Sequence, residues 1–325
     1  MEFLFIDEIL QAKNAFVKCL EHDAEDQTAL YNVVYCYDFL DNHTEAIEFL
    51  EEFIDHNPYS EVAWHQLGRQ YYSVKDYRKA IQAFDFACII DENFVGAYIE
   101  KGKSYEKLKM FSQAITCYKE TLQLEDPSSY VYRRIGFCYE SLKKYDKALK
   151  YYLKSVHEDP LMDKSWISIA DLYLKKNDFK KALQFVNKAL GIDEYNHLYW
   201  RRFAIINKDL LFFEEAELGF RKAIEHGDTF LDTWLLWSDS LHLLKNEEDA
   251  IEKLLKARGM FNDEYEIEYR LAGLYLLTNQ TEKAWYHLTN ALALNYANHS
   301  LLQELFPTVW ENEMVQRCIK SFDKE

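Results

Sequence analysis

Ala80, Phe84 and Ala87 form an apolar stripe whose three- and four-residue spacing predicts one face of a helix. The stripe recurs along the chain. Steps of 34 residues from Ala80 land on Ala12, Ala46, Ala114, Ala148, Ala182, Ala216, Ala250 and Ala284 without an insertion, and then on Cys318. Four residues beyond each comes a larger apolar side chain: Phe16, Leu50, Phe84, Tyr118, Tyr152, Val186, Phe220, Leu254, Leu288 and Phe322. Just upstream, AWHQLGRQYY (63–72) sets Trp64, Leu67, Gly68 and Tyr71 on a second helical face. The Trp64 position is filled again by Leu30, Tyr98, Tyr132, Trp166, Trp200 and Trp234, and fails at Glu268. The Gly68 position holds Gly102 and Gly136, then Ala170, Ala204, Ser238 and Ala272. The Tyr71 position reads Tyr37, Tyr105, Tyr139, Tyr173, Asn207, Leu241 and Tyr275.

This period and pattern resemble the tetratricopeptide repeat along essentially the whole chain. The stretches NPYSEVAW, DENFVGAY and CYKETLQLEDP are similar to long bacterial scaffold proteins of that class. The resemblance implies an all-α, right-handed superhelical α-solenoid of antiparallel helix pairs with a concave groove. We read a half repeat at 1–26, eight repeats of 34 residues at 27–298, and a degenerate C-terminal cap at 299–325. About eighteen helices are expected, with all nine slot alanines buried. Trp64 and its equivalents are expected in the core, where large side chains fill the space around close helix contacts. Asn57-Pro58, Asp126-Pro127 and Asp159-Pro160 stand between repeats, because proline cannot continue a helix. At the C-terminal end, Pro307 should interrupt the penultimate helix. The chain opens inside the first helix of its repeat, which suggests either a cut from a longer solenoid or a lone capping helix. Phe3, Leu4, Phe5 and Ile6 would then form an apolar edge.

Composition narrows the class. With 49% hydrophobic residues the chain can bury a core, and four prolines and nine glycines favour helices over a turn-rich β fold. The N-terminus lacks the basic region and long apolar run of a signal peptide, and no stretch is apolar enough to span a membrane. The six cysteines show no C-x-x-C pairing, so a reducing, cytoplasmic setting is expected. No H-E-x-x-H, P-loop, G-x-S-x-G or G-x-G-x-x-G motif appears. Cys36 and Cys138 sit at equivalent places and read as small core residues. The repeats leave no segment for a catalytic domain, so we expect no enzyme activity, no cofactor and no metal site.

Charge adds a functional hint. The net charge is −17, yet residues 101–202 carry 20 basic and 13 acidic side chains, a net of +7. Residues 1–60 carry 2 basic and 14 acidic groups, a net of −12, and residues 203–325 carry 12 and 22, a net of −10. In the family the first helix of each pair lines the groove. The inward positions lie two before the Trp position and one, two and five after it. Applied to the repeats starting at residues 61 through 197, they select Arg69, Lys103, Arg133, Arg134, Lys164, Arg201 and Arg202, opposed there only by Glu100 and Asp171. One reading is a groove for an extended acidic segment, with guanidiniums forking onto carboxylates and Tyr130 and Phe137 giving apolar contact. The other is that these arginines pair with acids of neighbouring repeats or are merely solvated. The two-carboxylate clamp that grips chaperone tails is absent from these positions. Nucleic acid is disfavoured by the acidic flanks. A self-assembling solenoid, acidic ends docking on a basic middle, is the rival from another class.

Overall fold

The computed structural model describes residues 2–126 and 128–322, with side chains described from Ile6 onward. Among these residues there are 20 α-helices and no strand. Phe3, Leu4 and Phe5, as side chains, and Pro127 lie outside the described set. The chain divides into two compact units, residues 1–165 and 166–325.

The first unit holds α1 (Glu2–His22), α2 (Gln27–Phe39), α3 (His43–His56), α4 (Glu61–Ser73), α5 (Tyr77–Ile90), α6 (Val95–Lys107), α7 (Phe111–Leu124), α8 (Ser129–Ser141) and α9 (Tyr145–Glu158). Side-chain oxygens start several of these helices. Asp26 accepts from the Ala29 N–H at 2.9 Å, and Ser60 from the Ala63 N–H at 3.2 Å. Next comes α10 (Asp163–Lys175). The second unit continues with α11 (Phe179–Leu190), α12 (His197–Asp209), α13 (Phe213–Glu225), α14 (Leu231–Leu243), α15 (Glu247–Met260), α16 (Tyr265–Leu277) and α17 (Thr281–Asn295). A 3-10 turn (Tyr296–Asn298) then leads to α18 (Ser300–Leu305), α19 (Pro307–Trp310) and α20 (Glu313–Phe322). Pro307 stands in the first turn of α19, where its missing N–H costs nothing. It therefore breaks the helix at Phe306, as the sequence led us to expect.

Each helix pair is closed by the same turn. Asp41, Lys75, Lys109, Lys143, Asn177, Leu211, Lys245 and Asn279, one per pair, adopt left-handed φ between 54° and 66°. The next residue's N–H reaches back five positions, as from Asp76 to the Tyr71 carbonyl at 2.9 Å and from Lys144 to Tyr139 at 2.8 Å. This is the hydrogen bond of a Schellman ending, made without the usual glycine. Glycine is used elsewhere, inside first helices. A Cβ on Gly68 would lie 2.5 Å from Phe84, one on Gly102 2.7 Å from Tyr118, and one on Gly136 2.6 Å from Tyr152. The missing side chain makes room for the aromatic ring sixteen residues on, in the partner helix. Where the slot holds alanine, the ring is replaced by Val186 at Ala170 and by Leu288 at Ala272. Ala204 keeps Phe220, and there Gly219 supplies the space: its Cβ would stand 2.8 Å from that of Ala204.

Eight slot alanines, from Ala46 to Ala284, are fully buried. Ala12 is only half-buried, with α2 the main helix packed on α1. The tryptophans also depart from expectation. Trp234 is buried, but Trp64, Trp166 and Trp200 are half-buried. Two of them tether the loop before their own helix: the indole N–H of Trp64 donates to the Pro58 carbonyl at 2.9 Å, and that of Trp200 to Glu194 at 2.7 Å. Buried Glu268 takes the place of tryptophan in α16 because His287, at 2.7 Å, and Arg258 both hydrogen-bond its carboxylate. Burial alone would raise its pKa, but these two donors outweigh that and hold it below the usual carboxylate range.

Candidate partner-binding face

In the first unit α4 packs against both α2 and α6, and α6 meets the start of α8 around Tyr130. On α4, Arg69 donates to Gln66 at 3.0 Å and lies 3.9 Å from Asp38 of the preceding repeat. On α6, Lys103 pairs with Glu100 at 2.7 Å, and its ammonium stands 5.7 Å from the Tyr130 ring centre. On α8, the Arg133 guanidinium lies 5.5 Å over the same ring. Its Nε is buried without a hydrogen-bond partner, and Arg133 forms no ion pair among the described residues. Phe137 is exposed beside Arg134, whose guanidinium lies 5.2 Å from its ring.

Arg134 has a different task. It forks onto Glu106 of the preceding repeat through Nε at 3.0 Å and through Nη2. Glu106 is only 5% exposed and also accepts from the Tyr118 hydroxyl at 2.7 Å and the Cys138 thiol at 3.7 Å. Burial pushes that thiol up to about 12, so Cys138 is a core residue and an inert one. Lys164, the second residue of α10, is exposed.

In the second unit, Arg202 binds Asp171 of the preceding repeat, and Arg201 reaches Asp232 of the following one at 3.4 Å while lying over Phe230 at 4.6 Å. Arg270, which the sequence reading left out, occupies the slot of Arg134 and Arg202. It makes a two-pronged bond to Asp239 at 2.8 and 3.0 Å. The recurrence of arginine at this slot is thus tied to the joint between repeats. For Arg134 and Arg202, pairing with neighbouring acids is the geometry found. Of the nine residues singled out by sequence, Lys103, Tyr130 and Arg133 come together as one cluster.

Sequence reasoning missed Tyr31 and Tyr35, which occupy inward positions of α2 and are 41% and 63% exposed. The same positional rule finds them once it is applied to the repeat beginning at Gln27. It also missed the isolation of His65. Both ring nitrogens are buried without a hydrogen-bond partner, and the ring packs against Phe94 and Phe84 at 4.8 and 5.7 Å. Burial, with help from the Arg69 and Lys103 charges, pushes its pKa down to about 4. Among the described residues no group of His, Cys, Asp or Glu is arranged to hold a metal ion, and no helix is long and apolar enough to cross a membrane.

Four stretches, residues 27–59, 95–126, 130–160 and 163–196, match the family profile of the tetratricopeptide repeat. No curated protein matches the chain. Among solved structures, the C-terminal part of a TPR repeat-containing protein from Cytophaga hutchinsonii aligns with a TM-score of 0.64 at 16% identity, over 74% of this chain and 99% of that one. The pilF protein of Pseudomonas aeruginosa aligns at 0.54 and 16% identity, over 64% and 95%. A tetratricopeptide repeat protein from Parabacteroides merdae aligns at 0.50 and 16%, over 80% and 98%. At these identities the likeness is one of fold.

Proposed function

We propose that the chain, four stretches of which match the tetratricopeptide repeat, acts as a non-catalytic protein-interaction scaffold, binding an extended acidic segment of a partner on the face formed by α4, α6 and α8. The observation that carries this reading is Arg133: a cation fixed over Tyr130, with a buried Nε lacking a hydrogen-bond partner and no acid paired to it among the described residues. A partly enclosed guanidinium in that state favours a carboxylate from outside, since charge-assisted hydrogen bonds are stronger than neutral ones. Lys103 adds a second cation on the same ring, and Phe137 and Tyr35 give apolar surface to either side. An extended segment fits a face of parallel first helices, whose side-chain positions recur from helix to helix. The cytoplasmic setting inferred from cysteine spacing belongs to the same proposal and agrees with six unpaired thiols.

The test is binding of a fluorescent peptide of alternating Glu and Ser, with a Lys/Ser peptide as control. The acidic peptide should bind selectively, and Arg133→Glu should weaken it by about 10-fold or more, one charge-assisted bond contributing about 1.5–3 kcal/mol. Equal binding of the two peptides, or no effect of Arg133→Glu, would overturn the reading. Arg134 is unsuitable for this test, because reversing it sets two carboxylates against each other beside buried Glu106.

A further inference from the structure

The second helices α3 and α9 occupy equivalent places three periods apart, and their exposed faces carry opposite charges position by position. Glu45, Glu48 and Glu52 on α3 correspond to Lys147, Lys150 and Lys154 on α9, and all six are exposed. None of the other second helices from α1 to α17 has three like charges at these positions. On α3, Glu51 and Asp55 extend the acidic stripe. Among the described residues, none of these five carboxylates takes part in an ion pair. That contrasts with Asp38, Glu106, Asp171 and Asp239, each within ion-pair distance of an arginine. On α9, the ammonium of Lys147 lies 5.7 Å over Tyr139 and that of Lys154 5.0 Å over Tyr132, which orients both without neutralising them.

Apolar surface accompanies the charges. Between α1 and α3 lies a slot of about 310 Å³ lined by Val17, Leu20, Phe49 and Phe53, with Glu21 and Glu52 at its rim. On α9, Leu153 stands 44% exposed next to Lys154. One helix offers an acid-rimmed apolar slot, and the other a branched aliphatic side chain flanked by lysines.

We propose that α3 is a docking face for α9 of a second copy of this chain. Leu153 enters the slot, and the three lysines meet the three glutamates. The occupant follows from this complementarity, because the basic helix has its charges in the same positions of the repeat as the acidic one. The two faces differ, so the contact is head-to-tail, and each copy keeps one face for the next. The contact between two short helices is small, which makes the association weak, and its charges make it salt-dependent.

Sedimentation of the full chain tests this. At low salt, about 0.02 M, the average mass should rise above 38.8 kDa with concentration, and near 0.5 M it should return to the monomer value. Glu48→Lys/Glu52→Lys and Lys150→Glu/Lys154→Glu chains should each associate about 10-fold or more weaker than wild type. Mixed in equal amounts, the two should associate again, because reversed α3 then meets reversed α9. Leu153→Ser should weaken association without touching any charge. Far-UV circular dichroism checks that each variant is folded. Monomeric wild-type protein at low salt, or reversed chains that associate like wild type, would overturn the proposal. So would a folded mixture that stays monomeric. Binding of a basic peptide to α3 without self-association would also overturn it, assigning the face to another protein.

Discussion

Substituting alanine for the glycine of α4 gives opposite expectations depending on which physical term dominates. In an unhindered helix interior, Gly→Ala stabilises by about 1 kcal/mol, because glycine loses more backbone freedom on folding. At Gly68 the new Cβ would stand 2.5, 2.6 and 2.9 Å from three atoms of the Phe84 ring. Phe84 is fully buried, so the ring cannot swing aside into solvent. Overpacking of this kind costs about 1–3 kcal/mol, and three simultaneous close approaches place it near the upper end. The net expectation for Gly68→Ala is a loss of about 2 kcal/mol. Gly259 in α15 is the internal control, since nothing lies within 4 Å of its built Cβ. There the same substitution should stabilise by up to about 1 kcal/mol. Urea unfolding followed by far-UV circular dichroism measures both. Adding Phe84→Leu to Gly68→Ala recreates the pairing found at Ala272 and Leu288. It should recover stability non-additively, with a coupling of about 1 kcal/mol or more. If Gly68→Ala proves as stable as wild type, the Gly–aromatic exchange is not what fixes the helix spacing.

Two further outcomes follow from backbone and charge. Leu211 is 72% exposed with φ of 64°, so Leu211→Gly should raise the urea midpoint by relieving about 1 kcal/mol of left-handed strain; an unchanged or lowered midpoint would show that the turn is unstrained. The folded-state pKa of His65, about 4, lies below the ordinary 6.5, so its contribution to stability is complete above pH 6.5 and is lost as pH falls toward 4. The loss reaches up to about 3 kcal/mol, and His65→Phe should flatten that part of the pH–stability profile; an identical profile would remove His65 as the cause.

The repeat was legible because its signal is periodic and redundant. A small residue every 34 positions, followed by a large one, has no competing explanation, and the buried alanines lie where it put them. The glycine rule was legible only in part. Gly68, Gly102 and Gly136 stood out, but their tie to aromatic partners needed the contact geometry. The left-handed turns gave no local signal, since lysine and leucine do not announce positive φ. The arginines recur at one position of the repeat, and that recurrence did not show what they pair with. Position along a helix says which way Arg134 points, but not that Glu106 waits 28 residues earlier to receive it. The tryptophans were placed too deep because a ring that bonds its own preceding loop must reach the rim.

The arginine joints bear on how such an array can change in evolution. A chain of equal periods invites the view that any one can be cut out or copied without harm. Excising residues 231–264 would remove one whole period and leave every helix in phase. Yet Arg270, whose side chain is only 9% exposed, would then face Ile205 in the place of Asp239. A buried guanidinium without a carboxylate is strongly destabilising, at about 3–5 kcal/mol. The periods are interchangeable as helices and individual at their seams, so a duplication or loss must be followed by repair at the seam before the lengthened or shortened array is stable.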